Sequence, residues 1–234
     1  MKTLLALALT LTLSLLAGEP PTLPLAESLH RADAAEQKRV LDAFDAAQKT
    51  VTSFRAAFTQ TKRWRALADE TKSEGTISFT PPNHFRFETI APRAALTVCD
   101  GKRLVIYYPE FQEAEEYPLD ANKQIGEMAT AVNVAMGFQA NQFATNYDAV
   151  VFTTDALYVF ELIPRAPALR RQFAKIRIWF DHEFLALGSE ILSPNGDSTL
   201  MRFRDAKRNE ALPVETFQFV LPPGAHVTRP LDKK

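Results

Sequence analysis

The chain has 234 residues, of which 46% are hydrophobic and 24% charged, and it carries a net charge of −1 with a pI of about 6.4. These values exclude wholesale disorder and argue against a general nucleic-acid binder, which carries a basic excess. The single Cys excludes an intrachain disulfide and a Cys-based zinc site. Phenylalanine is unusually frequent, with 17 residues, so much aromatic surface must be buried or used.

The first 17 residues have the order of regions found in a secretory signal peptide. Met1 and Lys2 give a positive start, and residues 3–16 are almost continuously apolar. We expect cleavage after Ala17 or Gly18. The apolar run is shorter than the roughly 20 residues of a membrane span, although an uncleaved anchor is the alternative. No Cys lies there to accept a lipid, so we expect an exported, soluble protein of the periplasm.

After a Pro-rich, extended lead-in over residues 18–25, we predict a single domain over residues 26–234. It opens with a helix over about 26–50, because Val40 and Phe44 fall on one apolar stripe. Alternation of apolar and polar residues then predicts ten to twelve short strands. These strands are expected near 54–59, 77–79, 85–88, 95–99, 104–108, 112–119, 150–152, 158–162, 176–180, 185–192, 201–204 and 217–221.

Residues 122–143 interrupt the strands with apolar residues at helical spacing, which predicts one helix or two short ones broken near Gly137. Many short strands at regular spacing indicate a sandwich or barrel with a mostly antiparallel sheet. Since one face of each strand is apolar and the other polar, the helical segments should cover the apolar face. Periodicity does not decide whether the covered space is a filled core or a ligand cavity.

Candidate catalytic chemistry is weak. The four His lie far apart without metal-ligand spacing. Cys99 ends a predicted strand, which favours a buried structural thiol over a nucleophile. Glu113, Glu115 and Glu116 lie on a strand that we expect to be exposed. Because no acid, base and nucleophile come together, we expect neither an enzyme, nor a cofactor, nor a metal site.

Several stretches of the chain, in order, resemble the LolA family of periplasmic lipoprotein carriers. The run SFRAAFTQT at 53–61 resembles the first strand of that family. The further similar stretches are GTISF at 75–79, PNHFRF at 82–87, DGK at 100–102 with the YYP that follows at 107–109, and FQF at 217–219 with PPGAHV at 222–227. Together they cover nearly all of the chain after the signal-like segment.

The resemblance implies a mainly β fold with some helix: an incomplete, half-open antiparallel β-barrel, LolA/LolB-like, capped by a helical lid. Its apolar cavity would take up acyl chains. In the family an Arg before the Pro-Asn pair latches the lid, and here Pro81 holds that position, so this latch is missing. The residues that we expect to line the cavity are Phe54, Phe58, Phe79, Phe85, Phe87, Met128, Val132, Met136, Ile178 and Phe203.

The function that the resemblance implies is a periplasmic carrier, which shields the acyl chains of lipoproteins and moves them from the inner to the outer membrane. Its expected partners are acylated lipoproteins or lipid, an inner-membrane ABC transporter and an outer-membrane acceptor, without nucleic acid. A monomer suits a shuttle that meets two partners in turn. The alternative is a related protein that carries another lipid, or that senses lipid through a membrane partner.

Overall fold

The computed structural model describes residues 23–24, 29–119, 134, 137–138, 143 and 145–230. Their dominant feature is one sheet of thirteen strands. The strands are β1 (His30–Arg31), β2 (Phe54–Trp64), β3 (Asp69–Thr80), β4 (His84–Ala91), β5 (Ala95–Asp100), β6 (Arg103–Tyr108), β7 (Glu113–Pro118), β8 (Tyr147–Thr153), β9 (Leu157–Pro164), β10 (Lys175–Asp181), β11 (Ala186–Leu192), β12 (Ser198–Arg208) and β13 (His226–Thr228).

The strand order is β1-β8-β9-β10-β11-β12-β2-β3-β4-β5-β6-β7-β13. Eleven of the twelve pairings are antiparallel, and only β13 runs parallel to its neighbour β7. Within the described residues no pairing joins β1 to β13, so the sheet stays open. The predicted mainly β, open antiparallel fold is therefore confirmed.

The long helix α1 (Ala34–Gln48) begins later than the predicted start near residue 26. Asp33 caps it, because its Oδ1 accepts hydrogen bonds from the N–H groups of Ala35 and Glu36, both at 2.9 Å. Residues 30–31 instead pair with β8. A second helix, α2 (Pro167–Arg170), is a single turn after β9.

The sheet has an inner face, which carries the main hydrophobic core, and an outer face. Helix α1 packs on the inner face through its buried Val40 and Phe44. The outer face has a smaller cluster around Trp179, which Leu23 and Leu29 of the N-terminal segment help to cover. The inner face therefore holds most of the aromatic surface that the composition requires to be buried.

The last predicted strand, over residues 217–221, is wrong. Residues Val214–Phe217 form a 3-10 helix, and the final strand is β13. Alternation arose here because the rings of Phe217 and Phe219 both pack on the sheet, with centroids 5.8 Å from His84 and 5.3 Å from Tyr107. An extended segment that lays alternate rings on a sheet has the same sequence pattern as a strand.

The predicted central helices over residues 122–143 lie outside the described residues, apart from positions 134, 137, 138 and 143. Val134, Phe138 and Phe143 are buried and belong to the main core. This central segment therefore contributes apolar side chains to the inner face. In the part of the chain that is described, no helix has both the length and the apolar character needed to cross a membrane.

Candidate functional site

Two rows of paired residues cross the inner face and define the candidate site. Their members are held opposite one another by the ladder register of β2 to β7. The first row is Phe54, Phe79, Phe85, Cys99, Leu104 and Tyr117, and the second is Ala56, Ile77, Phe87, Thr97, Ile106 and Glu115. Both rows begin with buried residues. In the second row, the residues from Phe87 onward are only half-buried.

The driest part of the inner face is a group of aromatic rings around Phe44 of α1. Its ring centroid lies 4.9 Å from Phe160, 5.0 Å from Phe180 and 5.5 Å from Phe184. Phe143 of the central segment completes the group at 5.1 Å. Tilted and edge-on contacts at these distances are favourable for aromatic pairs. We call Phe44, Phe143, Phe160, Phe180 and Phe184 the aromatic cluster.

Phe138 of the central segment packs on the first row of the site. The ring of Phe138 stacks on Phe79 with centroids 3.9 Å apart and packs edge-on to Phe54 at 5.2 Å. Gly137, directly before it, has a φ of +82°, and a Cβ there would lie 2.7 Å from Cε1 of Phe180. Only glycine fits both the left-handed backbone and the close approach. Residues 137 and 138 thus lie close against the sheet.

Phe87 lies at the border between the dry and the half-buried parts. Its ring stacks on Phe58 with centroids 4.5 Å apart, yet it is only half-buried. Below it, Gly75 permits the close approach of β3 and β4, because a Cβ there would lie 1.9 Å from the Glu88 carbonyl oxygen and 2.7 Å from Phe58 Cζ. The ring of Phe87 is thus partly accessible while it still packs against the core.

The structure places seven of the ten predicted cavity residues on or beside the inner-face core. Phe87 is half-buried against it, and Met128, Val132 and Met136 lie outside the described residues. Pro81 is exposed in the turn between β3 and β4. Contact of any of these side chains with a ligand stays a prediction. The six that lie buried in the core are Phe54, Phe58, Phe79, Phe85, Ile178 and Phe203.

A polar group lies where the two rows end, with Tyr117 at the end of the first row and Glu115 at the end of the second, and the sequence did not indicate it. Tyr117 donates a hydrogen bond from its hydroxyl to Oε2 of Glu115 at 2.8 Å. Burial, together with the Glu115 carboxylate, raises the pKa of Tyr117 to about 12 and also raises the pKa of Tyr108. The expectation of an exposed strand holds for Glu113 but not for Glu115 and Glu116, which are half-buried.

The reactive candidates of the sequence have ordinary structural roles. Cys99 is fully buried, and this burial raises the pKa of its thiol, as expected for a structural cysteine. His182 lies 3.1 Å from the carbonyl oxygen of Asp155 and packs edge-on to Tyr158. Across the described ranges, no three His, Cys, Asp or Glu side chains gather as a metal site would require.

The described residues form an open antiparallel sheet whose apolar inner face packs under α1, which is the class of fold that the resemblance to the LolA family implies. The family model described as outer membrane lipoprotein carrier protein LolA matches residues 49–220, which is well over half of the chain. The chain belongs to this family, whose members are transport proteins rather than enzymes.

Two curated relatives cover most of the chain. The outer-membrane lipoprotein carrier protein of Ralstonia nicotianae is 28% identical over 207 residues, which is 86% of this chain and 93% of that protein. The protein of the same name from Dechloromonas aromatica is 30% identical over 179 residues, 76% of this chain and 82% of that one.

Solved structures with a similar fold are more distant. A LolA superfamily protein of Nitrosomonas europaea aligns with a TM-score of 0.42 and 14% identity, over 78% of this chain and 97% of that chain. An uncharacterized conserved protein of Thermus thermophilus aligns with a TM-score of 0.48 and 15% identity, over 82% and 98%.

Proposed function

We propose that this protein carries lipoproteins through the periplasm, with their acyl chains shielded against the inner face of the sheet. Membership of the LolA family supports this function, and so does the signal-like segment at the N-terminus. The observation that carries the proposal is the stack of Phe138 on Phe79. In this stack an apolar ring of the central segment lies on the apolar inner face.

The physical need for such a carrier is large. Moving an acyl chain into water costs about 0.8 kcal/mol per CH₂, so a chain of about sixteen carbons costs on the order of 12 kcal/mol. No lipoprotein with several such chains crosses an aqueous compartment alone. An apolar face that accepts the chains removes most of this cost, because the methylene groups exchange water for side-chain contacts.

The self-covered inner face explains how cargo is released as well as bound. Acyl chains that enter must displace the rings of the central segment, so the net affinity is the difference between two sets of apolar contacts. Because the net affinity is only this difference, the carrier can also release its cargo. Pro81, exposed in its turn, cannot supply the hydrogen bonds of the family's latch arginine. In this chain the ring stack of Phe138 takes that place.

The partners follow from the same route. A transporter of the ABC class in the inner membrane would load the carrier, and an acceptor at the outer membrane would unload it. The carrier itself would act as a monomer, because each partner needs access to the same opening. The ten predicted residues, from Phe54 to Phe203 in the sequence, would line the path of the acyl chains.

A charge at Phe87 tests the function with little risk to the fold, since this ring is only half-buried. The matched control is Ile90→Glu, which places the same side chain on the same strand at a position that is 60% exposed. The probe is a tripalmitoylated cysteinyl peptide with uncharged side chains. We expect the purified wild type and Ile90→Glu to bind it equally, and Phe87→Glu to bind it at least about tenfold more weakly.

Thermal unfolding of each variant separates lost binding from lost folding. A wild type that fails to bind the lipopeptide contradicts the proposed function, as does a folded Phe87→Glu variant that binds it unchanged. Binding of phospholipid from vesicles without binding of the lipopeptide would favour the alternative, a related protein with another lipid cargo. The absence of the latch arginine at position 81 is the observation that keeps this alternative in view.

A further inference from the structure

A carboxylate lies on the apolar inner face where the second row ends. The register of β4 to β7 aligns Glu115 with Ile106, and through Thr97 with Phe87. Alternation along β7 directs Glu115 to the same side as Tyr117, which packs against the main core. Glu115 is therefore a charged group on the inner face, at the point where that face becomes accessible.

The position of Glu115 is fixed, but its hydrogen-bonding capacity is only partly used. Tyr117 donates to Oε2 at 2.8 Å, and Tyr108, on the neighbouring strand, lies close enough for the carboxylate to raise the pKa of its hydroxyl. Glu115 makes no other hydrogen bond or ion pair with the described residues. A carboxylate has about four acceptor positions, so, with respect to the part of the chain that is described, Oε1 has room to accept from a ligand.

The neighbouring residue shows what an ordinary structural carboxylate does on this strand. Glu116 points to the outer face, where Arg103 lies at 3.5 Å and Arg229 at 3.7 Å. The described cations near β7 thus serve the outer face, and none pairs with Glu115. One oxygen of this half-buried carboxylate accepts from Tyr117, and the other has room for a second donor. A ligand is a natural source of that donor.

We infer that Glu115, oriented by Tyr117, forms a polar subsite that accepts an N–H group at the junction between the acyl chains and the polypeptide of the cargo. This inference rests on the proposed function. The first residue of an acylated lipoprotein joins its lipid to its peptide, so its N–H groups lie directly beside the acyl chains. With the chains against Phe87 and Ile106, these groups reach the end of the second row.

The subsite gives the carrier a means to recognise lipoproteins among other lipids. Apolar contact alone accepts any acyl chain, because it is not directional. An acceptor held in place discriminates, since a ligand with an N–H donor gains a hydrogen bond there and a ligand without one does not. Free acyl esters would therefore bind through the rings only, while a lipopeptide would gain a charge-assisted hydrogen bond.

The experiment compares Glu115→Gln with Glu116→Gln, which makes the same change in charge on the opposite face of β7. Two probes are used: the uncharged tripalmitoylated cysteinyl peptide, and methyl palmitate, which has acyl carbons but no N–H group. We expect Glu115→Gln to weaken lipopeptide binding about fivefold, because a neutral acceptor forms a weaker hydrogen bond. Its binding of methyl palmitate, and both affinities of Glu116→Gln, should match the wild type.

The outcomes separate the subsite from the function on which it rests. If wild type and Glu115→Gln bind the lipopeptide equally, the subsite is wrong and the carrier function stands. A loss of equal size for both probes also overturns the subsite, because it reports a change in the apolar face. If the wild type does not bind the lipopeptide, the proposed function and the subsite fall together.

Discussion

The inner face of the sheet has two regions of different character, although one hydrogen-bonded ladder connects them. In the aromatic cluster and the strands beneath it, side chains such as Phe160 and Phe180 are completely buried. On β5 and β6, residues of the same face such as Thr97, Ile106 and Tyr108 are only half-buried. A single sheet can therefore provide a stable core at one end and an accessible apolar surface at the other.

The largest expected effect comes from removing the centre of the aromatic cluster. Phe44→Ala deletes a ring that is 1% exposed and contacts four other rings. We expect the free energy of unfolding to fall by about 3–5 kcal/mol, as for other buried Phe truncations. If the two regions differ as described, the affinity of the remaining folded protein for the lipopeptide stays within about twofold of wild type.

Denaturant unfolding measures this loss, and Phe111→Ala is the matched control. Phe111 is 58% exposed in the turn between β6 and β7, so its truncation should cost less than about 0.5 kcal/mol. A small loss for Phe44→Ala would mean that the aromatic cluster is not the stable end of the sheet. The two regions of the inner face would then not differ in their contribution to stability.

A change of intermediate size targets the cover that joins the two regions. Gly137→Ala meets both a φ of +82° and the ring of Phe180, so we expect it to destabilise the protein by about 1–3 kcal/mol. We also expect the substitution to weaken the stack of Phe138 on Phe79. The ring of Phe138 then competes less with cargo for the inner face, so the lipopeptide should bind more tightly. Gly224→Ala shares the φ of +82° but has no close neighbour, and should leave the affinity unchanged.

Isothermal titration of the lipopeptide into each glycine variant, alongside thermal unfolding, decides this prediction. Weaker binding by Gly137→Ala than by Gly224→Ala would show that the cover helps to hold cargo instead of competing with it. In that case the stack of Phe138 on Phe79 would belong to the loaded protein.

The smallest expected effect compares one tyrosine in each region. The pKa of Tyr147, buried on β8, is raised to about 12 by burial alone, whereas the equally raised pKa of Tyr117 depends partly on Glu115. Both rings keep their proton longer in the folded state, so the stability they contribute is present below about pH 10 and lost as pH rises through 12. Glu115→Gln should lower the pKa of Tyr117 and leave that of Tyr147 in place.

Tyrosinate absorbance during an alkaline titration follows both groups. Tyr117→Phe and Tyr147→Phe variants assign the two transitions. Equal pKa values of Tyr117 in wild type and Glu115→Gln would show that Glu115 does not raise the pKa of Tyr117. The two regions would then differ in exposure only, not in chemistry.

Local patterns predicted the dry part of the inner face well. Alternation placed Phe54, Phe58 and Phe79 on the buried side of their strands, and the structure buries all three. Asp100-Gly101 and Asn195-Gly196 are sequences typical of two-residue turns, and both glycines have positive φ. The side of a strand to which a residue points follows from local alternation, so the sequence is enough to predict it.

Two features were not predicted: one depends on strand register, and the other on a break in the helical period. Phe138 follows Gly137, whose left-handed backbone interrupts the helical period, so counting along a helix did not bring its ring to Phe79. Glu115 was expected on an exposed strand, because nothing local shows that Thr97 and Ile106 lie beside it. Both contacts are decided by partners far away in sequence.

The two terminal strands of the sheet are very short: β1 has two residues and β13 has three. A long flat strand at either border would offer a row of free N–H and C=O groups to other chains. Half-buried apolar side chains such as Ile106 on the inner face add to the risk of such aggregation. The brevity of β1 and β13 shortens the row of backbone groups that these two border strands offer to another chain.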